Sequence, residues 1–154
     1  MMDLLNLLFN ALIAAVPAVG FAMAFNVPAR YLWRCGLAGA MGFGIRGGLM
    51  AFGAPIEWAT FVAAGAVGWL TAHWARRTLA PMQLYGVAAI IPMIPGSYAF
   101  NTVIGLVEMS AVGASEPLME QVLVNGIKTV FIVGALSVGL ALPGLLYYRN
   151  RSII

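Results

Sequence analysis

Charged side chains are scarce in this sequence. Only 8% of its 154 residues are Asp, Glu, Lys or Arg, whereas 62% are hydrophobic. Soluble domains carry about 25% charged residues, so the composition excludes an ordinary soluble domain. A membrane span needs about 20 mostly apolar residues, which leaves room for about five spans. We predict an all-α, polytopic membrane protein in which residues 1–154 form one transmembrane domain, with no soluble domain.

Cysteine and histidine are equally scarce, and this removes several classes of function. Cys35 is the single cysteine, which excludes an internal disulfide, and His73 has no second ligand at metal-binding spacing. The sequence also lacks a P-loop, a G-x-S-x-G motif and paired catalytic carboxylates. We therefore predict no metal, no cofactor and no enzymatic activity. Basic residues occur singly or in pairs, so we expect no nucleic acid partner.

Long apolar stretches predict five helices, of which the fourth is broken. Helices two and three carry small residues at four-residue steps, from Gly36 to Gly48 and from Ala64 to Ala72, and such faces let another backbone approach closely. We interpret these two stripes as candidate contact surfaces for a partner subunit. The predicted helices are Leu4–Phe25, Leu32–Phe52, Glu57–Trp74, 81–112 and Leu118–Tyr148.

The distribution of charge supports five spans, which would put the two ends of the chain on opposite sides. Six of the eight basic residues then fall on one side, and all five acidic residues fall on the other. By the positive-inside rule, we predict an inner (plasma) membrane protein with its N-terminus outside and its C-terminus in the cytoplasm. The residues concerned are Arg30, Arg34, Arg76, Arg77, Arg149 and Arg151 on the basic side, and Asp3, Glu57, Glu108, Glu116 and Glu120 on the acidic side.

The segment IIPMIPGSYAFN, residues 90–101, interrupts the fourth apolar stretch. Pro92 and Pro95 each remove a backbone donor and clash with a carbonyl one turn earlier, so a continuous helix is costly. An interrupted membrane helix is the best sequence indicator of a transport site. The second half-helix should begin near Ser97, where free N–H groups and the positive end of the helix dipole favour a carboxylate. A purely structural kink is the alternative, because membrane helices tolerate proline.

Two cations, Arg46 and Lys128, fall inside predicted spans. A charge at the centre of a span costs at least about 2.5–3.5 kcal/mol, so each cation needs a compensating interaction. Lys128 shares a helix face with Gln121 and Asn125. Alternatively, Arg46 extends to the outer interface and Lys128 pairs with an acid in this chain or in a partner. The functional interpretation is an electropositive cavity that binds an anionic substrate group through Lys128, Arg46, Gly96, Ser97, Asn101 and Asn125.

Three segments resemble a known family of membrane proteins. The sequences FNVPARYLWRCGLAGAMGF (residues 25–43), Ala80-Pro81 and IIPMIPGSYAF are similar to the threonine/serine exporter family, in particular its small membrane subunit, the YjjB type. This resemblance implies export of small carboxylates, namely threonine and serine in the long form and succinate in a split pair. It also implies a larger membrane subunit as partner. The positions that match its motif are Pro92, Pro95, Gly96 and Ser97.

Residues and resemblance together predict a membrane subunit of a secondary exporter of small carboxylates, either a succinate-like dicarboxylate or threonine and serine. It would work with a larger subunit, as a homo-oligomer, or both, because a complete transporter usually needs two repeats or halves. The alternative is a scaffold subunit that anchors a larger transporter and does not itself transport. A homo-oligomeric pore is a third possibility. Replacing Lys128, Ser97 or Asn101 should leave export intact, or lower assembly, if the chain is only a scaffold.

Overall fold

The structure, a computed structural model, describes residues 4–78 and 81–148. The charges considered above at Asp3, Arg149 and Arg151 therefore lie outside the described residues. Within the described ranges every element is helical, and the fourth predicted helix is broken, as expected. The elements are α1 Leu4–Ala24, α2 Ala29–Ala51, α3 Ile56–Thr78, α4 Met82–Ile90, a 3-10 helix Ile91–Met93, α5 Gly96–Val112 and α6 Glu116–Tyr148.

Helix α3 lies at the centre of the bundle and packs against α2, α4 and α6. Its buried positions are occupied mainly by Ala, Gly and Thr, which let neighbouring helix axes approach closely. The two buried threonines satisfy their hydroxyls within the helix, Thr60 on the Ile56 carbonyl at 2.6 Å and Thr71 on the Val67 carbonyl at 2.9 Å. The buried residues of α3 are Ala59, Thr60, Ala63, Ala64, Val67, Gly68, Thr71, Ala72 and Ala75.

The two small-residue stripes lie largely inside the chain, so their interpretation as partner surfaces was wrong. A Cβ added at Gly36 would lie 2.9 Å from Val19 of α1. One added at Gly68 would lie 2.7 Å from the Leu140 carbonyl oxygen of α6. The spacing of small residues predicts a face that packs closely, but it does not predict which helix packs there. In this structure, helices of the same chain pack against most of both stripes.

The number of membrane spans is not confirmed. Two described helices are long and apolar enough to be membrane spans, namely Leu5–Ala24 and Glu116–Leu146. A third span is present if the bent pair Met82–Met93 and Gly96–Val112 crosses the membrane as one unit. Helices α2 and α3 have 23 residues each and are long enough to cross a bilayer. However, α2 contains three arginines and α3 is rich in small residues. Helices enclosed by other helices need less apolar surface than helices that face lipid.

Apart from Arg46 and Lys128, the described basic residues lie at one end of the bundle and the described acids lie away from it. The rings of Trp33 and Trp74 are 6.1 Å apart, which brings together the start of α2 and the end of α3. The arginines at residues 30, 34, 76 and 77 lie at this end. Helices α3 and α6 run parallel, with Gly139 of α6 against Phe61 of α3. Glu57, in the first turn of α3, therefore lies beside the middle of α6, near Phe131. The acids late in α5 and early in α6, which are Glu108, Glu116 and Glu120, lie roughly 20 Å further from the arginines.

Close contact between α3 and α6 yields a prediction about stability. At Gly139 an added Cβ would lie 2.8 Å from the Phe61 carbonyl oxygen and 2.8 Å from Ala64 Cβ. The variant Gly139→Ala should lower the thermal unfolding midpoint of the protein in detergent, because overpacking typically costs about 1–3 kcal/mol. Gly134→Ala is the matched control in the same helix, since nothing lies within 4 Å of its added Cβ. Equal midpoints for both variants would contradict this packing.

Candidate functional site

The chain bends between α4 and α5, at residues 91–95, and we call this segment the elbow. The bend follows from its two prolines, Pro92 and Pro95. Ile94 has extended backbone angles, φ −60° and ψ 135°, because the ring of the following proline disfavours the helical region. Helix α5 then begins at Gly96, close to the predicted start at Ser97. The two half-helices meet at a bend of 60°.

Arg46 of α2 binds the elbow. Its Nη1 donates a 2.7 Å hydrogen bond to the carbonyl oxygen of Met93, in the 3-10 helix. The bend prevents a continuing helix from supplying an N–H to that carbonyl. The guanidinium also lies 5.3 Å from the ring of Phe43. Arg46 therefore supplies a hydrogen-bond donor to a carbonyl that the proline break leaves without a helical partner. Its Nη1 is occupied by this hydrogen bond.

Helix α5 leaves the bundle at the elbow and packs mainly on α6. Thr102 lies beside Gly126, where an added Cβ would be 3.5 Å from the threonine methyl group. Farther along, Gly105 lies against the side chain of Val122. Residue numbers rise along α5 as they fall along α6, so the two helices are antiparallel.

Lys128 of α6 meets the first turn of α5. Its Nζ lies 5.3 Å from the centroid of the Tyr98 ring, at a distance where a cation is attracted to an aromatic face. Lys128 forms no ion pair with any described residue. Since it lies 12 residues into α6, it is about 18 Å along the helix axis from the start of α6.

The predicted polar residues lie on one side of the α5–α6 pair. The residues that contact the other helix are Tyr98 and Thr102 of α5 and Gly126 of α6. Each follows a polar residue by one position, and these polar residues are Ser97, Asn101 and Asn125. Each polar residue therefore lies about 100° around its helix from the contact line. Because α5 and α6 are antiparallel, the 100° displacement is clockwise on one helix and counterclockwise on the other. The polar residues of both helices therefore lie on the same side of the pair. Lys128 follows Asn125 by about one turn and shares its face. The structure thus gathers residues from two helices along one polar face.

This polar face is open and does not form an enclosed cavity within the described chain. Gly96, Ser97 and Asn101 are exposed, whereas Arg46 and Lys128 are half-buried. Asn125 is half-buried too, and its amide nitrogen donates to the Gln121 carbonyl in its own helix at 2.9 Å. Of the polar side chains predicted to share a face of α6, Gln121 is exposed, whereas Asn125 and Lys128 are half-buried.

Tyr98 is a site residue that the sequence did not single out. The Lys128 ammonium lies 5.3 Å from the centroid of its ring. Its side chain also packs against the core cluster. A tyrosine in an apolar helix resembles any other packing residue, and the only sequence signal was its position directly after Gly96 and Ser97. Its importance emerges only where α2, α5 and α6 converge.

A family comparison covers the whole site. Residues 10–146 match the family model described as threonine/serine exporter, ThrE. The chain belongs to the threonine/serine exporter family. As a member of this exporter family with strongly apolar helices, it is a membrane protein of the exporter type. The matched range of the ThrE family includes the elbow, Arg46, Tyr98 and Lys128. No solved structure matches the chain.

The bond between Arg46 and Met93 predicts that α2 restrains the elbow. In the variant Arg46→Gln, a cysteine placed at Met93, whose side chain is buried at the elbow, should react faster with a water-soluble thiol reagent. Loss of a net hydrogen bond of about 1 kcal/mol corresponds to roughly a fivefold shift in the opening equilibrium. The native Cys35 is buried and should contribute little background.

A cysteine at Ser115, in the exposed loop between α5 and α6, provides the control for reagent access. Its reaction rate should not change when Arg46 is replaced. If the Met93 cysteine also reacts at an unchanged rate, Arg46 does not restrain the elbow.

Proposed function

We propose that this chain is a membrane subunit of a secondary exporter of small carboxylates, either a succinate-like dicarboxylate or threonine and serine. Its substrate site comprises the first turn of α5 with Gly96 and Ser97, together with Asn101, Asn125, Lys128 and Arg46. Its role is transport and not enzymatic chemistry, and it uses neither a metal nor a cofactor.

One observation carries this proposal: Lys128 lies far inside an apolar helix, has no ion-pair partner among the described residues, and meets the start of the broken helix through Tyr98. An uncompensated charge in a membrane is expensive and usually marks a substrate or ion pathway. The N–H groups of the first turn of α5 add a further attraction for an anion. A substrate carboxylate supplies the missing negative charge.

The elbow provides the movement that export needs. In transporters with interrupted helices, the substrate site lies at the break, and movement of one part around that site exposes it to each side in turn. Here α4 is packed in the bundle while α5 packs mainly on α6, so α5 is the half-helix that can swing. The two prolines supply a break at which the swing costs few helical hydrogen bonds.

The open site implies that another subunit completes the transporter. Most of the outward-facing apolar residues of α5 are exposed, among them Phe100, Val103, Leu106 and Val107. A larger membrane subunit of the same family, or another copy of this chain, would cover this helix and enclose the polar face. We also propose five spans in the inner membrane, with the N-terminus outside and the C-terminus cytoplasmic, since the arginines at residues 30, 34, 76 and 77 lie together at one end of the bundle and the described acids lie away from it.

A scaffold role is the second candidate, and the exposure of Gly96, Ser97 and Asn101 favours it. If a partner carries the complete substrate site, this chain needs only to anchor and orient that partner. The polar face would then be a surface for protein contact and not a place where substrate binds.

Export measurements on Lys128→Gln separate the two roles. In cells carrying the chain with its larger family subunit, efflux of labelled succinate and labelled threonine should fall at least about tenfold for the true substrate. Loss of a charge-assisted hydrogen bond of about 1.5–3 kcal/mol has an effect of that size. Membrane abundance and recovery of the partner in pull-downs should stay the same.

Arg77→Gln is the matched control, because it removes an exposed cation at the end of α3. Its efflux should match that of the intact protein. Normal efflux from Lys128→Gln would exclude a substrate role for this lysine and favour the scaffold.

A further inference from the structure

Tyr98 is the described aromatic side chain that lies beside Lys128, one of the two cations of the candidate site. The Lys128 Nζ is 5.3 Å from the centroid of its ring. The side chain is half-buried and packs against the core cluster that contains Met93 and Ile132, so its position is fixed from one side. This packing therefore holds the ring beside Lys128 of α6.

The hydroxyl of Tyr98 has no hydrogen-bond partner among the described residues. This contrasts with Tyr85, whose hydroxyl lies 2.9 Å from the hydroxyl of Thr78. A partly buried phenol normally finds a partner, because leaving a polar group unpaired costs free energy. Tyr98 thus presents a free O–H donor on a ring beside Lys128, where a cation already favours negative charge.

We propose that Tyr98 binds the substrate carboxylate directly, through a hydrogen bond donated by its hydroxyl, while its ring holds the Lys128 ammonium in place. The carboxylate then receives one neutral donor from α5 and charge from Lys128 and Arg46. Arg46 keeps its bond from Nη1 to Met93 and offers its remaining N–H groups, since a guanidinium carries five donors. This inference rests on the proposed function and adds a specific binding residue to it.

The ring and the hydroxyl of Tyr98 have separable tasks. The ring face attracts the ammonium and limits the directions in which the flexible lysine points. The hydroxyl recognises an acceptor, so it favours a carboxylate over the corresponding alcohol or amine. The variant Tyr98→Phe removes the hydroxyl and retains the ring, whereas Tyr98→Leu removes both.

Transport kinetics in inside-out membrane vesicles test this role. The vesicles contain the full chain with its larger family subunit, and the uptake of labelled succinate and labelled threonine is measured over a range of concentrations. For the substrate that the intact protein transports, Tyr98→Phe should raise KM about tenfold, the effect of losing a hydrogen bond to a charged group. Its maximal rate should stay within about twofold, because a bond made equally in bound substrate and transition state affects KM alone. Tyr98→Leu should lower the maximal rate as well, since Lys128 loses its support.

Tyr31→Phe is the matched control, because it removes a phenol hydroxyl from the aromatic cluster at the opposite end of the bundle, where the ring of Tyr31 meets that of Tyr85 at 5.5 Å. Its KM should equal that of the intact protein. An unchanged KM in Tyr98→Phe would overturn the binding role and leave the proposed function standing. A parallel loss of maximal rate and thermal stability in Tyr98→Phe would also overturn it, in favour of a packing role. No uptake of either carboxylate by the intact protein would overturn the proposed function, and this inference with it.

Discussion

A backbone carbonyl inside an apolar environment needs a hydrogen-bond partner, and the helix break leaves the carbonyl of Met93 without its helical one. Arg46 supplies that partner from a different helix at 2.7 Å. The same bond gives the arginine an acceptor, which offsets part of the cost of placing it among apolar helices. The break and the cation therefore stabilise each other.

The direction of α5 follows from this elbow. Because the chain turns by 60° after the 3-10 helix, α5 moves away from the bundle and comes to rest on α6. Its first turn then meets Lys128, and the polar residues of both helices face the same side. A straight helix would have kept these residues apart. The position of two prolines thus determines which side chains of α2, α5 and α6 can act together.

The sequence predicted those parts of the site that depend on local physics. The break was predictable because proline lacks a donor and restricts the residue before it, and Lys128 stood out because an isolated charge in an apolar helix is costly. The role of Tyr98 was not predictable, since it depends on which helices converge there. Glycine spacing likewise identified the small faces of α2 and α3 but not the helices that cover them. The five-span count rests on α2 and α3, in which arginines and small buried residues lower the apolar content by which a span is recognised.

The close pairing of α3 with α6 has a consequence for biosynthesis. Gly65 and Gly139 face each other across this pair, and roughly 70 residues separate them in the sequence. A ribosome adds ~5–20 residues per second, so Gly139 is synthesised roughly 4 to 15 seconds after Gly65. During that delay the side of α3 that later packs on α6 has no permanent neighbour in its own chain. Foreign helices or chaperones can occupy it until α6 arrives. The order of synthesis therefore leaves the central helix of the bundle among the last to acquire its native surroundings.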